Sequence, residues 1–188
     1  MELRNTLVYI FLLMSPICSF AQNNSANHKI GIEIPEVALL GLVSEEATNI
    51  IITALSPNEA GSSINFSNQQ NKNIWINYSS VLAQKNQKRK IIAMIQGDIP
   101  KGIILKLETS DAIDTGKGNK GQTTGVVRLT NEPSDVIVNI GSCYTGKGLN
   151  NGHYLSYKME MDDSEEDYAQ LANGQSSLHV IYTLTDHN

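Results

Sequence analysis

Apolar and polar residues alternate in many short segments of this chain, and this pattern limits the fold more than any other feature. In one example Ile103, Leu105 and Leu107 fall on one side of an extended chain, with Lys106 and Glu108 on the other. Alternation with a period of two is typical of a strand with one buried face. Clusters of Gly, Asn, Pro and Ser separate the segments, and no helical period recurs between them. The pattern therefore predicts an all-β chain, folded as a single antiparallel β-sandwich.

About nine strands are predicted, and they cover most of the chain beyond its first segment. The strand at 30–39 is kinked by Pro35, and the one at 90–96 is apolar on both faces, as expected of a central strand. The other predicted strands span 49–55, 74–78, 103–108, 125–129, 135–140, 153–159 and 178–184. One short helix is expected at 164–172.

The first 21 residues have the organisation of a cleaved export signal. Arg4 supplies a positive start, an apolar stretch covers 7–14, and the segment 19–21 has small residues where signal peptidase requires them. The apolar stretch is shorter than the ~20 residues of a membrane-spanning helix, so stable membrane insertion is not expected. The sequence predicts a signal peptide at 1–21 and one β-sandwich domain at 22–188.

Charge and cysteine content limit the classes of function. The chain has 19 acidic and 14 basic residues, a formal net charge of −5. This balance argues against a nucleic-acid partner, because such proteins present a basic face. Beyond the export signal Cys143 is the single cysteine, so an intramolecular disulfide is impossible. We expect this thiol to be buried, with pairing to another molecule as the alternative.

Three patterns resemble catalytic or cofactor motifs without their usual context. Residues 116–121 fit the dinucleotide pattern G-x-G-x-x-G, but a strand instead of a helix follows. Residues 141–147 approach a phosphate-binding P-loop, but Gly148 stands where a Ser or Thr hydroxyl is needed. Cys143 and His153 form a nucleophile and base only if they meet, and a packed thiol is the simpler interpretation. We expect no catalytic residue and no cofactor, and the chain is not expected to be an enzyme.

An acidic run at 160–167 is the one segment that suggests a metal. It holds six carboxylates in eight residues. Calcium binds several oxygen ligands from one flexible loop, which makes Asp162, Asp163 and Glu165 candidate ligands. The run lacks the glycine and the ligand order of an EF-hand, and runs of like charge usually face solvent. A solvated acidic loop is therefore the simpler interpretation, and no metal is expected.

Tyr144 is the aromatic residue best placed to contact a ligand. It lies in a Gly-rich loop at 141–152, and loop aromatics on a rigid scaffold often stack on sugar rings. This loop, together with a loop at 111–125 that is expected to be flexible, could bind a glycan or a protein. Trp75 and Tyr154 lie in predicted strands and are suited to core packing instead.

The C-terminal part of the chain resembles pilin-like domains. A segment at 152–157, the acidic turn, residues 172–174 and the closing alternating strand at 178–185 are similar to the end of two related families. These are the chaperone-usher pilus subunits and the spore coat protein U-like domains. The resemblance implies an immunoglobulin-like sandwich that lacks one strand and is completed by an N-terminal donor strand from the next subunit. The chain departs from these families in its single mature cysteine, because such subunits often carry a disulfide.

Residues 23–34 are similar to a donor segment, because Ile30, Ile32 and Ile34 alternate with other residues. The physical basis does not depend on the family. A missing strand leaves a groove with unpaired backbone groups, which an extended partner segment fills. Head-to-tail use of such a contact gives a filament. The same residues could equally continue into an ordinary first strand of the chain's own sheet.

These features predict an exported, non-enzymatic structural or adhesive subunit of a fimbria-like or cell-surface assembly. Its expected partners are other protein subunits or further copies of itself, and a glycan is a further option. The alternative is a monomeric secreted β-sandwich module that binds a glycan or a protein. The cleavage site before Gln22 resembles exported proteins of Gram-negative Bacteroidota, which implies the periplasm or surface of a Gram-negative bacterium.

Overall fold

The structure is a computed structural model, and its strands form two antiparallel sheets. It describes residues 25–45, 49–66, 74–113, 115–162 and 168–187. The chain divides after Glu33 into two units, and the described part of the first forms neither helix nor strand. The described residues of the second unit form eleven strands, which confirms the all-β sandwich and exceeds the predicted nine. Within the described ranges, no helix has the length and hydropathy that a membrane span requires.

The strands β1 to β11 follow one another with short connections through most of the chain. They are Val37–Ser44, Ile74–Val81, Arg89–Gln96, Ile103–Thr109, Lys117–Gly118, Gln122–Thr123, Val126–Arg128, Ser134–Ile140, Cys143–Tyr144, His153–Met161 and His179–Asp186. The predicted signal peptide lies outside the described residues. The helix expected at 164–172 lies partly outside them; of its described part, Tyr168 and Ala169 are helical, Gln170 is a turn residue, and 171–172 have no regular structure.

The larger sheet is built around β2. Its order is β5–β9–β2–β10–β4–β7, and β1 pairs with β2 as well. β1 runs along the whole of β2, from the pair Val37–Val81 to the pair Ser44–Ile74. β9 and β10 share the opposite side of β2. β1 is therefore an edge strand within the described part of this sheet.

The smaller sheet has the order β11–β3–β8–β6. β11 pairs with β3 along its full length, from His179 opposite Gln96 to Asp186 opposite Arg89. The ladder between β3 and β8 shifts register, and Asn139 in β8 has a φ of 60°. Such a bulge bends a strand and locally increases its twist. β11 is the edge strand on the other side of this sheet.

The core lies between the two sheets and is formed by alternate residues of their strands. In β3, buried Ile91, Ala93 and Ile95 alternate with partly exposed residues, as a strand with one inward face requires. Among the described residues, the completely buried apolar side chains are Ile76, Ile91, Ala93, Leu107, Leu129, Val136, Ile137, Ile140 and Leu155. The sheets are also joined by the hydroxyl groups of Tyr157 in β10 and Tyr182 in β11, which lie 2.7 Å apart.

Two predicted strands differ from the structure because a strand requires a partner. The first strand begins at Val37 instead of at residue 30, and the preceding segment is unpaired. Pro35 lacks an N–H and interrupts any ladder at that point. Residues 49–55 hold the β-branched run Ile50, Ile51 and Ile52, yet within the described residues the segment pairs only through an isolated bridge of Leu55 to Asn65. β-Branched residues favour an extended backbone without specifying which strand they meet.

The prediction of a flexible loop at 111–125 is wrong in part, because two short strands, β5 and β6, form within this segment. β5 pairs with β9, and β6 pairs with β8. Ile113 adds a bridge to Gly152. The loop is therefore tied to both sheets at several points.

Candidate functional site

The N-terminal segment presents an exposed apolar face, which we call the isoleucine face. It consists of Ile30, Ile32 and Ile34, whose residues are 71%, 87% and 77% exposed. No helix or strand forms over residues 25–36. Alternate residues of an extended chain point to the same side, so the three isoleucines can dock together on an apolar partner. Large exposed apolar residues at this spacing are a common feature of interaction segments.

Part of the β11 backbone faces away from β3, the strand with which β11 pairs in the described residues. The Ile95 amide donates to the Thr130 carbonyl oxygen at 2.9 Å, on the side of β3 away from β11. The His187 amide donates to the Lys88 carbonyl oxygen at 2.8 Å and so faces β3. Backbone direction alternates along a strand. The N–H and C=O groups of the even-numbered residues, including Val180 opposite Ile95, therefore point away from β3.

The side chains of the same residues leave the core incompletely covered along this strand. Val180, Tyr182 and Leu184 point inward and pack against the core, but all three remain partly exposed. We call β11 with these three residues the β11 edge. An extended segment added here would bury more apolar surface and would find backbone partners.

Arg89 is a buried cation that ties the start of β1 to both sheets. It is 4% exposed. Its guanidinium donates to the Ser80 hydroxyl at 3.2 Å and to the Val37 carbonyl oxygen. It also contacts the carboxylates of Glu36 and, at 3.2 Å, Asp186. A buried guanidinium is stable only when its N–H groups have partners, so these contacts fix the first residues of β1.

Sequence reasoning did not identify Arg89 as a special residue. The sequence shows it as one of several cations at 85–90, and such residues are normally solvent-facing. The available signal was its position at the start of β3, directly before a segment that is apolar on both faces. A cation next to such a strand either faces solvent or has several acceptors.

His153 is almost completely buried, and both of its ring nitrogens have partners. Nδ1 lies 2.8 Å from the Ser110 carbonyl oxygen, which can only accept, so Nδ1 carries the proton. Nε2 lies 2.8 Å from the Tyr78 hydroxyl, which also contacts the Lys120 carbonyl oxygen. Burial lowers the pKa of His153, although the bond to Ser110 opposes this shift. The histidine thus links β10, β2 and two loops.

Cys143 is buried, as predicted, and its surroundings do not favour a nucleophile. Burial raises the pKa of its thiol to about 11, although nearby Lys120 acts in the opposite direction. A catalytic cysteine requires a thiolate at working pH and a base free to accept its proton. Because Tyr78 and Ser110 occupy both nitrogens of His153, the hypothetical Cys143–His153 pair receives no support from this geometry.

Tyr144 is half-exposed, at 47%, and lies on β9 between β2 and β5. The glycines of the 116–121 motif pack the chain closely against this strand. A Cβ on Gly116 would lie 1.7 Å from the Tyr144 carbonyl oxygen, and one on Gly118 would lie 2.2 Å from that of Ser142. Gly118 also has a φ of +89°, which other residues rarely adopt. These glycines have a packing role, and Tyr144 remains available as a ligand candidate.

The calcium candidates are only partly within the described residues. Asp162 forms an ion pair with Arg128, with an N–O distance of 3.1 Å. Asp163 and Glu165 lie outside the described residues. In the part of the chain that is described, no three His, Cys, Asp or Glu side chains are grouped so that they could hold a metal ion.

Compared with known proteins, the chain matches no family model, no curated protein and no solved structure.

Proposed function

We propose that this chain is an exported, non-enzymatic structural or adhesive subunit of a fimbria-like or cell-surface assembly. Its subunits are joined when the N-terminal segment of one copy is added as a strand to the next copy, in the periplasm or at the surface of a Gram-negative bacterium. One observation carries the proposal: Ile30, Ile32 and Ile34, which recur at every second position, are all exposed in a segment that forms no strand within the described residues.

The β11 edge is the acceptor that suits this segment best. Its even-numbered residues direct backbone groups outward, and its inward side chains remain partly exposed. Main-chain hydrogen bonds would provide affinity, and the three isoleucines would set the register. The donor segment and the acceptor edge are different surfaces of the chain, so the contact is heterologous and produces a filament unless the rotation closes a ring.

The test compares two faces of the same N-terminal segment in the purified protein. One variant replaces Ile30, Ile32 and Ile34 with Ser, and the control replaces Lys29 and Glu33, on the opposite face, with Ser. Mass is measured by light scattering, and an unheated denaturing gel follows strand-exchanged polymers, which resist detergent until they are boiled. We expect a ladder for the wild type and the control, and monomer for the isoleucine variant. A ladder from the isoleucine variant, or a wild type that is monomeric at all concentrations, contradicts the proposal.

A second candidate is a monomeric module that binds a glycan or a protein. Tyr144 favours it, because a half-exposed ring lies on a strand held from both sides. A monomeric wild type together with retention on a glycan surface that Tyr144→Ala abolishes would support this candidate.

A further inference from the structure

The chain contains two Asn-Gly pairs, Asn151–Gly152 and Asn173–Gly174. In such a pair the asparagine side chain can react with the backbone nitrogen of the glycine, because glycine has no side chain to shield that nitrogen or to restrict its rotation. The reaction requires the side-chain carbonyl carbon and the nitrogen to meet. Whether they can meet depends on the contacts around each pair, and these contacts differ.

The side chain of Asn151, in the connection between β9 and β10, is held by hydrogen bonds at both ends of its amide. Its Nδ2 donates to the carbonyl oxygens of Lys147 at 3.0 Å and of Leu149 at 2.9 Å. Its Oδ1 accepts a hydrogen bond from the Thr115 hydroxyl. The amide therefore cannot turn toward the next backbone nitrogen without losing these bonds.

Gly152 is held as firmly as its neighbour. It is buried, its φ is +74°, and a Cβ at this position would lie 2.1 Å from the Ile76 carbonyl oxygen. Its own carbonyl oxygen accepts a hydrogen bond from the Ile113 amide at 2.9 Å. Formation of a ring between the two residues requires rotation of the backbone between them. The pair 151–152 can therefore react only when this part of the fold opens.

Asn173 and Gly174 lie in the connection that precedes β11, and both are exposed. Residues 171–178 form neither helix nor strand, and a Cβ added to Gly174 would meet no atom within 4 Å. Within the described residues, neither the Asn173 side chain nor the Gly174 amide has a hydrogen bond. This pair can therefore take up the reactive geometry without the loss of any described contact.

The contacts that hold this connection to the sandwich lie beyond the pair. The Ser176 hydroxyl donates to the Asp98 carbonyl oxygen, and Leu178 packs against the core. The strand β11 begins only at His179. A covalent change at position 173 therefore leaves the contacts of β11 in place.

We propose that Asn173 is a site of self-modification in the folded chain, whereas the fold protects Asn151. The backbone nitrogen of Gly174 loses its proton and bonds to Cγ of Asn173. The bond from Cγ to Nδ2 breaks, and the departing nitrogen takes up a proton and leaves as ammonia. Water then opens the cyclic imide at either of its two carbonyl carbons, which gives aspartate or isoaspartate. Each modified chain gains one negative charge, and this inference does not depend on the proposed function.

The experiment compares the two pairs within one purified protein. The folded chain is incubated in mildly alkaline buffer, and a second sample is incubated in the same buffer with guanidinium chloride. Trypsin cleaves after Lys147 and Lys158, so Asn151 is recovered in the fragment 148–158 and Asn173 in the fragment 159–188. Mass spectrometry with fragmentation then measures the converted fraction at each asparagine over time.

In the folded protein we expect Asn173 to convert at least roughly tenfold faster than Asn151, because Asn151 reacts only from an opened state. In guanidinium chloride the two asparagines should convert at comparable rates, since both are then unfolded Asn-Gly pairs. Equal rates in the folded protein overturn the protection of Asn151. Absence of conversion at Asn173 in the folded protein overturns the site itself.

A pair of variants tests whether Gly174 supplies the attacking nitrogen. Gly174→Ala adds a methyl group that shields this nitrogen, and the open space around the position accommodates it. We expect this variant to convert Asn173 much more slowly. The control Ala172→Gly changes the residue on the other side of Asn173 and should convert at the wild-type rate. Conversion of Gly174→Ala at the wild-type rate overturns the proposed attack.

Discussion

The interior around His153 and the β11 edge differ in how many of their polar groups have hydrogen-bond partners and in how far their apolar side chains are buried. At the interior site, Ser110 and Tyr78 occupy both ring nitrogens of His153, and Leu155 two residues later is completely buried. Along β11, inward side chains such as Val180 remain partly exposed, and the backbone of the even-numbered residues points away from β3, its partner strand in the described residues. Both regions are built from alternating strands of similar composition.

The difference separates a part of the fold in which both ring nitrogens of the buried histidine are paired from a part that the proposed function assigns to contact with another chain. Buried polar groups are costly unless they have partners, so a closed interior has little to gain from a ligand. An edge with exposed apolar side chains and open backbone groups can gain both burial and hydrogen bonds. The comparison therefore favours the β11 edge as the site of function.

The largest expected effect comes from truncating one side chain in each region. Leu155 pairs with both β2 and β4 at the centre of the larger sheet. We expect Leu155→Ala to reduce the free energy of unfolding by about 3–4 kcal/mol, through lost burial and a cavity. Val180→Ala should cost only about 1 kcal/mol, because that side chain is already partly exposed. Urea denaturation measures both losses of unfolding free energy. Equal losses would mean that side chains at the β11 edge are as fully buried as those in the interior.

Arg89 tests how firmly the first edge strand is held. Arg89→Met removes the donor to the Ser80 hydroxyl and the Val37 carbonyl oxygen, and we expect a loss of about 2–3 kcal/mol in unfolding free energy. The neighbouring Lys90 forms a more exposed ion pair with Asp135, so Lys90→Met should change stability by less than about 1 kcal/mol. The denaturant midpoints of the two variants measure these two losses of stability. Similar small effects would show that Arg89 does not anchor β1.

His153 should make stability dependent on pH. Its native pKa is lowered by burial, so the unfolded chain takes up a proton first as the pH falls. The contribution of the neutral ring to the free energy of unfolding is complete above about pH 6.5. Below that pH it decreases, by up to ~1.4 kcal/mol per pH unit. Thermal or urea unfolding between pH 7.5 and 5 measures this slope. We expect His153→Gln to remove it and His179→Gln, on the exposed side of β11, to leave it; persistence in His153→Gln would assign the slope to another group.

Tyr144 should give the smallest effect on stability. Because its ring is half-exposed, we expect Tyr144→Ala to change the unfolding free energy by less than about 0.5 kcal/mol. Equilibrium denaturation of this variant is the measurement. A loss above about 1.5 kcal/mol would show that the ring is part of the packed interior, and would remove it as a ligand candidate.

Much of the fold was predictable because its main signal is local. Alternation along 103–108 and 178–184 indicates which side chains point inward. Most of each segment is a strand in the structure. The burial of Cys143 followed from its residue type in the same way. The segment 49–55 has the same local signal but forms no ladder with any described residue, because hydrogen-bond partners come from distant parts of the chain.

Of the proposed contact, the sequence indicated only the isoleucine segment, and its role as a donor stays a prediction. Ile30, Ile32 and Ile34 were identified from spacing, but their exposure depends on the first strand starting at Val37. The β11 edge could not be found from sequence, because a strand does not indicate whether it has one neighbour or two. Nor did the sequence pair His153 with Tyr78, since side chains 75 residues apart meet only after the strands have been ordered.

By itself, then, the sequence determined the all-β class, the inward face of most strands and an unusual apolar repeat near the N-terminus, since each depends on the order of neighbouring residues. The tertiary structure decided which strands end the sheets, which cation is buried and which apolar residues remain exposed. Those properties depend on contacts between residues far apart in the chain, and burial is defined only once both sheets are in place.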